Sequence, residues 1–135
     1  MTVNFAVNYL AVIVAAIAAV VIGFVWYAPQ VFGDRWMKYL GKTRAELGQP
    51  GPAFGLAIVA ALVNAWVLAL FSTNLGGTSL TDGIELGILV WLGFMATLTA
   101  AETVFLKKPW GLWFLNNAHN VIAQVVMAAI VTVLR

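Results

Sequence analysis

Cysteine is absent from this sequence of 135 residues, and charged residues are scarce at 9%. Without cysteine there are no disulfides, no thiolate chemistry and no cysteine-based zinc or iron–sulfur site. A soluble domain carries about 25% charged residues, so the scarcity of charge excludes a cytosolic enzyme. The net charge of +2 is too small and too dispersed for a nucleic-acid partner.

Apolar residues make up 63% of the chain, which excludes disorder. They form four continuous segments, at about 5–27, 53–71, 84–106 and 111–134. A helix needs about 20 apolar residues to cross a bilayer, and continuous runs, unlike alternating ones, exclude a transmembrane barrel. The sequence therefore predicts an all-α, polytopic membrane protein: one domain over residues 1–135, built as a bundle of four transmembrane helices.

Basic residues predict the orientation of this bundle. The first and third connections hold six of the seven, and the seventh lies at the C-terminus: Arg35, Lys38, Lys42, Arg44, Lys107 and Lys108 against Arg135. Loops rich in Lys and Arg stay in the cytoplasm, so we expect both termini outside. No basic residue precedes the first segment, which favours a retained helix over a signal peptide.

The predicted cytoplasmic loop, residues 28–52, is expected to rest on the membrane interface. Aromatic side chains collect at this level of a bilayer, and a proline ends a helix. The predicted interface anchors are Trp26, Tyr27, Pro29, Trp36 and Trp110.

Small residues recur every four positions in the first two segments. Such stripes let helix backbones approach closely in a membrane, either within the bundle or between copies of the chain. The predicted packing residues are Ala11, Ala15, Ala19 and Gly23 in the first helix, and Ala57, Ala61 and Ala65 in the second.

Polar residues inside the last two segments form the candidate site. They are Glu102, Asn116, Asn117, His119, Asn120 and Gln124, and helical depth and phase allow Glu102 and His119 to meet. Three interpretations stay open: a hydrogen-bonded patch that joins two helices, a site that binds a ligand or a proton, or a catalytic site. One His and one Glu make a poor metal site, so neither a metal nor a cofactor is expected. Asn64, among the alanines of the second segment, is expected to bond across a helix interface.

Several short motifs also carry a family resemblance, and together they extend over almost the whole chain. They are Asn8-Tyr9-Leu10-Ala11-Val12, Gly23, Trp26-Tyr27-Ala28-Pro29, Phe32-Gly33, Trp36, Gly93-Phe94-Met95-Ala96-Thr97 and Phe114-Leu115-Asn116-Asn117-Ala118-His119. In these the chain resembles the small bacterial membrane proteins grouped as domain of unknown function 1761. The resemblance implies about four membrane helices and no catalytic residue. The family often has serine where this chain has Ala28, so a serine nucleophile is not expected there.

We therefore expect a non-enzymatic, oligomeric protein of the bacterial inner membrane. It would bind or translocate a small ligand, a proton or a lipid between the third and fourth helices. One alternative is an accessory subunit of a larger membrane complex. Another is an integral-membrane enzyme that acts on a lipid or an isoprenoid.

Overall fold

A computed structural model describes residues 1–48 and 50–135 of the chain; Gln49, within the predicted loop 28–52, lies outside the described residues. The described chain is 81% helical and contains no strand, which confirms the all-α fold. Four helices are long and apolar enough to cross a membrane: Tyr9–Trp26, Gly51–Leu75, Leu80–Phe105 and Trp110–Val133.

Nine helical elements make up the described fold. They are α1 (Tyr9–Trp26), a π-helical turn (Pro29–Gly33), α2 (Asp34–Leu40), α3 (Arg44–Leu47), α4 (Gly51–Leu75), α5 (Leu80–Trp91), a π-helical segment (Leu92–Ala96), α6 (Thr97–Phe105) and α7 (Trp110–Val133). The third span is therefore α5 and α6 joined through the second π-helical segment. Predicted loop 28–52 holds the short helices α2 and α3.

Three helix ends differ from the bounds predicted from the apolar segments, because residues at these ends cap the helices. The Asn8 side chain accepts from the backbone N–H groups of Leu10 and Ala11, so α1 begins at Tyr9 and not near residue 5. Ser79 and Asp82 form a capping box, so the third span begins at Leu80 and not near residue 84. Helix α4 continues past residue 71 to Leu75, where Gly76 ends it in the left-handed conformation at φ +76°.

Helix α7 lies at the centre of the bundle and packs against the other three spans. Within its most apolar stretch, 39% of the residues are buried, against 11–22% in the corresponding stretches of the other spans. The closest approach is to α5, where Gly83 and Gly87 lie against the α7 backbone at Ala129 and Val125. The core between α1, α4 and α7 includes Ala15, Ala65, Leu68, Ala128 and Met127.

The predicted packing residues occupy different levels of this core. Ala11, Ala15 and Ala65 are buried, Ala19, Gly23 and Ala61 are half-buried, and Ala57 is exposed. Every residue of α4 from Gly51 to Ala60 is exposed. The first half of α4 therefore packs only loosely on the bundle, with Phe54 edge-on against Phe24 of α1 at a centroid distance of 5.1 Å, and a groove opens between α1, α4 and α7.

The two ends of the bundle contain different elements of the chain. At the termini end, the Asn8 amide donates to the Leu134 carbonyl over 2.5 Å, and the Arg135 guanidinium donates to the Gly77 carbonyl. At the opposite end, which we call the loop end, lie α2, α3 and the turn between α6 and α7. Between the ends the outer faces are apolar, with Ile17, Leu89 and Leu98 each more than half exposed, as helices that face lipid require.

Candidate functional site

Two neighbouring cavities contain the predicted polar residues. The first, which we call the polar cleft, has a volume of about 540 Å³ and lies between the third span, α7 and α2 near the loop end. Its lining consists of Tyr27, Trp36, Thr99, Glu102, Thr103, Lys108, Leu112, Trp113, Asn116, Asn117 and Asn120.

The Asn117 side chain forms hydrogen bonds with both walls of the polar cleft. Its Oδ1 accepts from the Trp91 indole over 3.0 Å, and its Nδ2 donates to the Thr99 hydroxyl over 3.2 Å and to the Trp113 carbonyl over 3.1 Å. Thr99 Oγ1 also accepts from the Trp113 indole and donates to the Met95 carbonyl. This network joins the third span to α7, as expected of a polar patch that fixes two membrane helices.

Glu102 lies at the rim of the polar cleft, where its side chain is 51% exposed. Its carboxylate pairs with Lys108 Nζ at 3.2 Å. Exposed pairs of this kind contribute about 0–1 kcal/mol, so the pair does little to hold the fold.

The second cavity, which we call the apolar groove, has a volume of about 860 Å³ and lies between α1, α4 and α7. Such volumes are typical of small-molecule sites, about 300–1,000 Å³. Most of its lining is apolar and includes Ala19, Val20, Gly23, Phe24, Phe54, Ala57, Ala60, Ala61, Met95, Ala123 and Met127. Its polar lining consists of Asn64, His119, Asn120 and Gln124, with Tyr27 and Arg44 towards the loop end.

Two buried polar atoms at the apolar groove, His119 Nε2 and Gln124 Oε1, have no hydrogen-bond partner in the part of the chain that the structure describes. We refer to them as the groove atoms. Gln124 is 3% exposed, and its Nε2 donates to Asn64 Oδ1 over 3.3 Å and to the Met95 sulfur over 2.9 Å. His119 Nδ1 lies 3.1 Å from Asn120 Oδ1. A buried polar group left without a partner costs about 1–3 kcal/mol, so these two atoms are the unsatisfied polar groups of the groove lining that the structure describes.

Tyr27 and Asn120 line both cavities and form the wall between them. The Tyr27 hydroxyl donates to Asn116 Oδ1 over 2.7 Å. Burial raises the pKa of Tyr27 to about 12, so the hydroxyl stays protonated and keeps this bond at neutral pH.

The predicted interface anchors differ in how much they contact the rest of the protein. The Trp26 indole donates to the Leu115 carbonyl, and its ring stacks near Phe32 with centroids 4.5 Å apart. Trp36 packs edge-on against Tyr27, Pro29 is exposed, and Trp110 is 47% exposed. Trp26, Tyr27 and Trp36 therefore help to hold the loop end against the bundle.

The six predicted site residues divide between the cavities. Glu102, Asn116 and Asn117 line the polar cleft, His119 and Gln124 line the apolar groove, and Asn120 lines both. Among the described lining residues, Glu102 and His119 do not share a cavity. Their separation follows from the position of α7, which presents Asn117 to the third span and His119 to Gly23 of α1.

Sequence reasoning did not assign Met95, Trp91 or Arg44 to the site. Met95 and Trp91 look like ordinary apolar core residues in a membrane segment, and no pattern marks their bonds to Gln124 and Asn117. Asn64 does carry a signal, because it is an amide inside an alanine-rich helix, and it accepts from Gln124 across the interface between α4 and α7. Within residues 1–48 and 50–135, no group of three or more His, Asp or Glu side chains is placed to hold a metal ion.

A family model described as "Protein of unknown function (DUF1761)" matches residues 10–132. No curated protein and no solved structure matches the chain.

Proposed function

Since the chain belongs to the DUF1761 family, whose description names no activity, we propose from the site alone that this membrane protein binds a small amphiphilic ligand in the apolar groove. The observation that carries this proposal is the pair of groove atoms, placed in a cavity of about 860 Å³ between three helices. Inside a membrane, water is scarce and an unmade hydrogen bond is costly. A ligand with an apolar body and a polar group satisfies both parts of the lining.

A cavity-filling variant tests the proposal. Ala57 lines the groove and is exposed to it, so Ala57→Phe places a ring where the ligand would lie. We expect native mass spectrometry of the protein in nanodiscs to detect a bound amphiphile on the unmodified chain and at least a tenfold lower occupancy on Ala57→Phe.

The matched control is Ala101→Phe. Ala101 is also an exposed alanine of a membrane span, and it is not part of either cavity lining. Occupancy should stay at the level of the unmodified chain. Equal occupancy in Ala57→Phe, or no bound molecule on any variant, would contradict the proposal.

We also propose that the exposed half of α4, residues 51–60, contacts a second copy of the chain or a partner in a membrane complex. Its support is the continuous exposure of this segment together with two small residues outside the groove lining, Ala53 and Gly55, which permit close helix contact. The same native mass spectra report the number of chains in each particle. We expect more than one chain or a co-purified subunit, and a lone chain would count against this contact.

For location, we propose a bacterial inner membrane with the loop end in the cytoplasm and both termini outside. Six of the seven basic residues lie in the connections at the loop end, which is the distribution that cytoplasmic loops have. A periplasmic phosphatase fused after Arg135 should be active, and one fused after Lys42 should be inactive. The reverse pattern would overturn this orientation.

A further inference from the structure

The orientation of the Gln124 amide determines what the groove lacks. A thioether sulfur only accepts hydrogen bonds, so the atom 2.9 Å from the Met95 sulfur must be the amide nitrogen. The same nitrogen donates to Asn64 Oδ1 over 3.3 Å. In Gln124, which lines the groove, the atom left without a partner among the described residues is therefore the carbonyl oxygen, an acceptor.

The histidine leads to the same result. Asn120 Oδ1 lies 3.1 Å from His119 Nδ1 and can only accept, so Nδ1 carries the proton of the neutral ring. His119 Nε2 is then an acceptor as well. Both groove atoms require hydrogen-bond donors.

Depth and charge restrict the donor to a neutral group. Gln124 lies 14 residues into α7, about 21 Å along a helix of 24 residues that is about 36 Å long at 1.5 Å per residue, and so lies near the middle of a span that crosses a bilayer core about 30 Å thick. Among the described residues that line the groove, Arg44 alone carries a fixed charge, and it pairs with Asp34 at 3.5 Å near the loop end. A charged headgroup at this depth would have no counter-charge, and an unpaired charge in a membrane is expensive.

We propose that the ligand of the apolar groove is a neutral amphiphile whose polar end carries hydroxyl donors, bonded to Gln124 Oε1 and His119 Nε2. This inference rests on the proposed function and gives it a ligand class. The shared chemistry is a pair of hydroxyl groups on an apolar body, which an alkylglycerol and an alkyl hydroquinone both provide.

Paired probes test the need for donors. The purified full chain in nanodiscs is incubated with deuterated 1-O-hexadecylglycerol or hexadecylhydroquinone, and in parallel with the dimethyl ether of each. Methylation removes both donors and keeps the apolar body. Two hydrogen bonds contribute enough that we expect at least one diol to be retained about tenfold or more above its ether. The diol that is retained more strongly shows whether the ligand resembles an alkylglycerol or an alkyl hydroquinone.

Substitution of a glycine on α1 tests one of the groove atoms, His119 Nε2. A Cβ added at Gly23 would lie 3.5 Å from His119 Nε2, an ordinary contact, so Gly23→Ala covers this acceptor without displacing its neighbours. The matched control is Gly93→Ala, a helical glycine of the third span that lines neither cavity and whose added Cβ meets open space. Gly23→Ala should reduce the ratio of diol to ether at least threefold, and Gly93→Ala should leave it unchanged.

The outcomes separate this inference from the proposed function. Equal retention of diol and ether, an unchanged ratio in Gly23→Ala, or stronger retention of hexadecyl phosphate would overturn the neutral-donor inference while amphiphile binding stands. If none of these probes is retained and no native molecule occupies the groove, both the inference and the proposed function fail.

Discussion

At the scale of single residues, two glycines determine how closely α5 and α7 pack. Gly83 and Gly87 let α5 lie directly on α7, because added Cβ atoms would come within 2.7 Å of Ala129 Cα and 2.5 Å of Val125 Cα. Backbone atoms cannot rotate away, so an alanine there would force the helices apart. This contact also fixes the α7 backbone on which Gln124 is carried.

Gly87→Ala should therefore lower the free energy of unfolding by about 1–3 kcal/mol, the usual cost of overpacking, although alanine favours a helix by about 0.5–1 kcal/mol. Unfolding in mixed micelles, followed by tryptophan fluorescence, measures the change. The control Gly93→Ala has open space around the added carbon and should be neutral or slightly stabilising. A neutral Gly87→Ala would mean that α5 and α7 do not meet so closely.

At the scale of elements, the third span and α7 are joined by amide, hydroxyl and indole groups. The π-helical segment Leu92–Ala96 changes the helical phase just before Thr99 and Glu102. The Thr99 hydroxyl donates to the Met95 carbonyl inside this segment and accepts from Asn117 and Trp113. The polar network therefore bonds an irregular stretch of backbone to a regular helix.

Asn117→Leu should lower the free energy of unfolding by about 2 kcal/mol. It removes two bonds to the third span, each worth about 0.6–2 kcal/mol in membranes, and leaves the Trp91 indole without its acceptor. Thr97→Val is the control, because the Thr97 hydroxyl donates to the Gly93 carbonyl of its own span. The same micelle assay should give a change below about 0.5 kcal/mol for it. Equal losses in the two variants would argue against a role in joining the spans.

At the scale of the whole molecule, the sequence predicts the four spans because each depends on a continuous apolar run, which is a local property. It also predicts a candidate site of polar residues in the last two spans. The division of these residues between two cavities depends on tertiary contacts: α7 lies at the centre, α4 is exposed from Gly51 to Ala60, and Glu102 pairs with Lys108. Helical depth and phase allow Glu102 and His119 to meet, but no local sequence pattern determines which neighbouring helix each face of α7 contacts.

The central claim is that the apolar groove holds an amphiphile against the groove atoms. A high-resolution cryo-electron microscopy map of the protein in lipid nanodiscs tests it most directly. We predict elongated non-protein density between α1, α4 and α7, with one end within about 3.2 Å of Gln124 Oε1. A groove closed by α4, with Gln124 Oε1 and His119 Nε2 bonded to protein groups, would contradict the account.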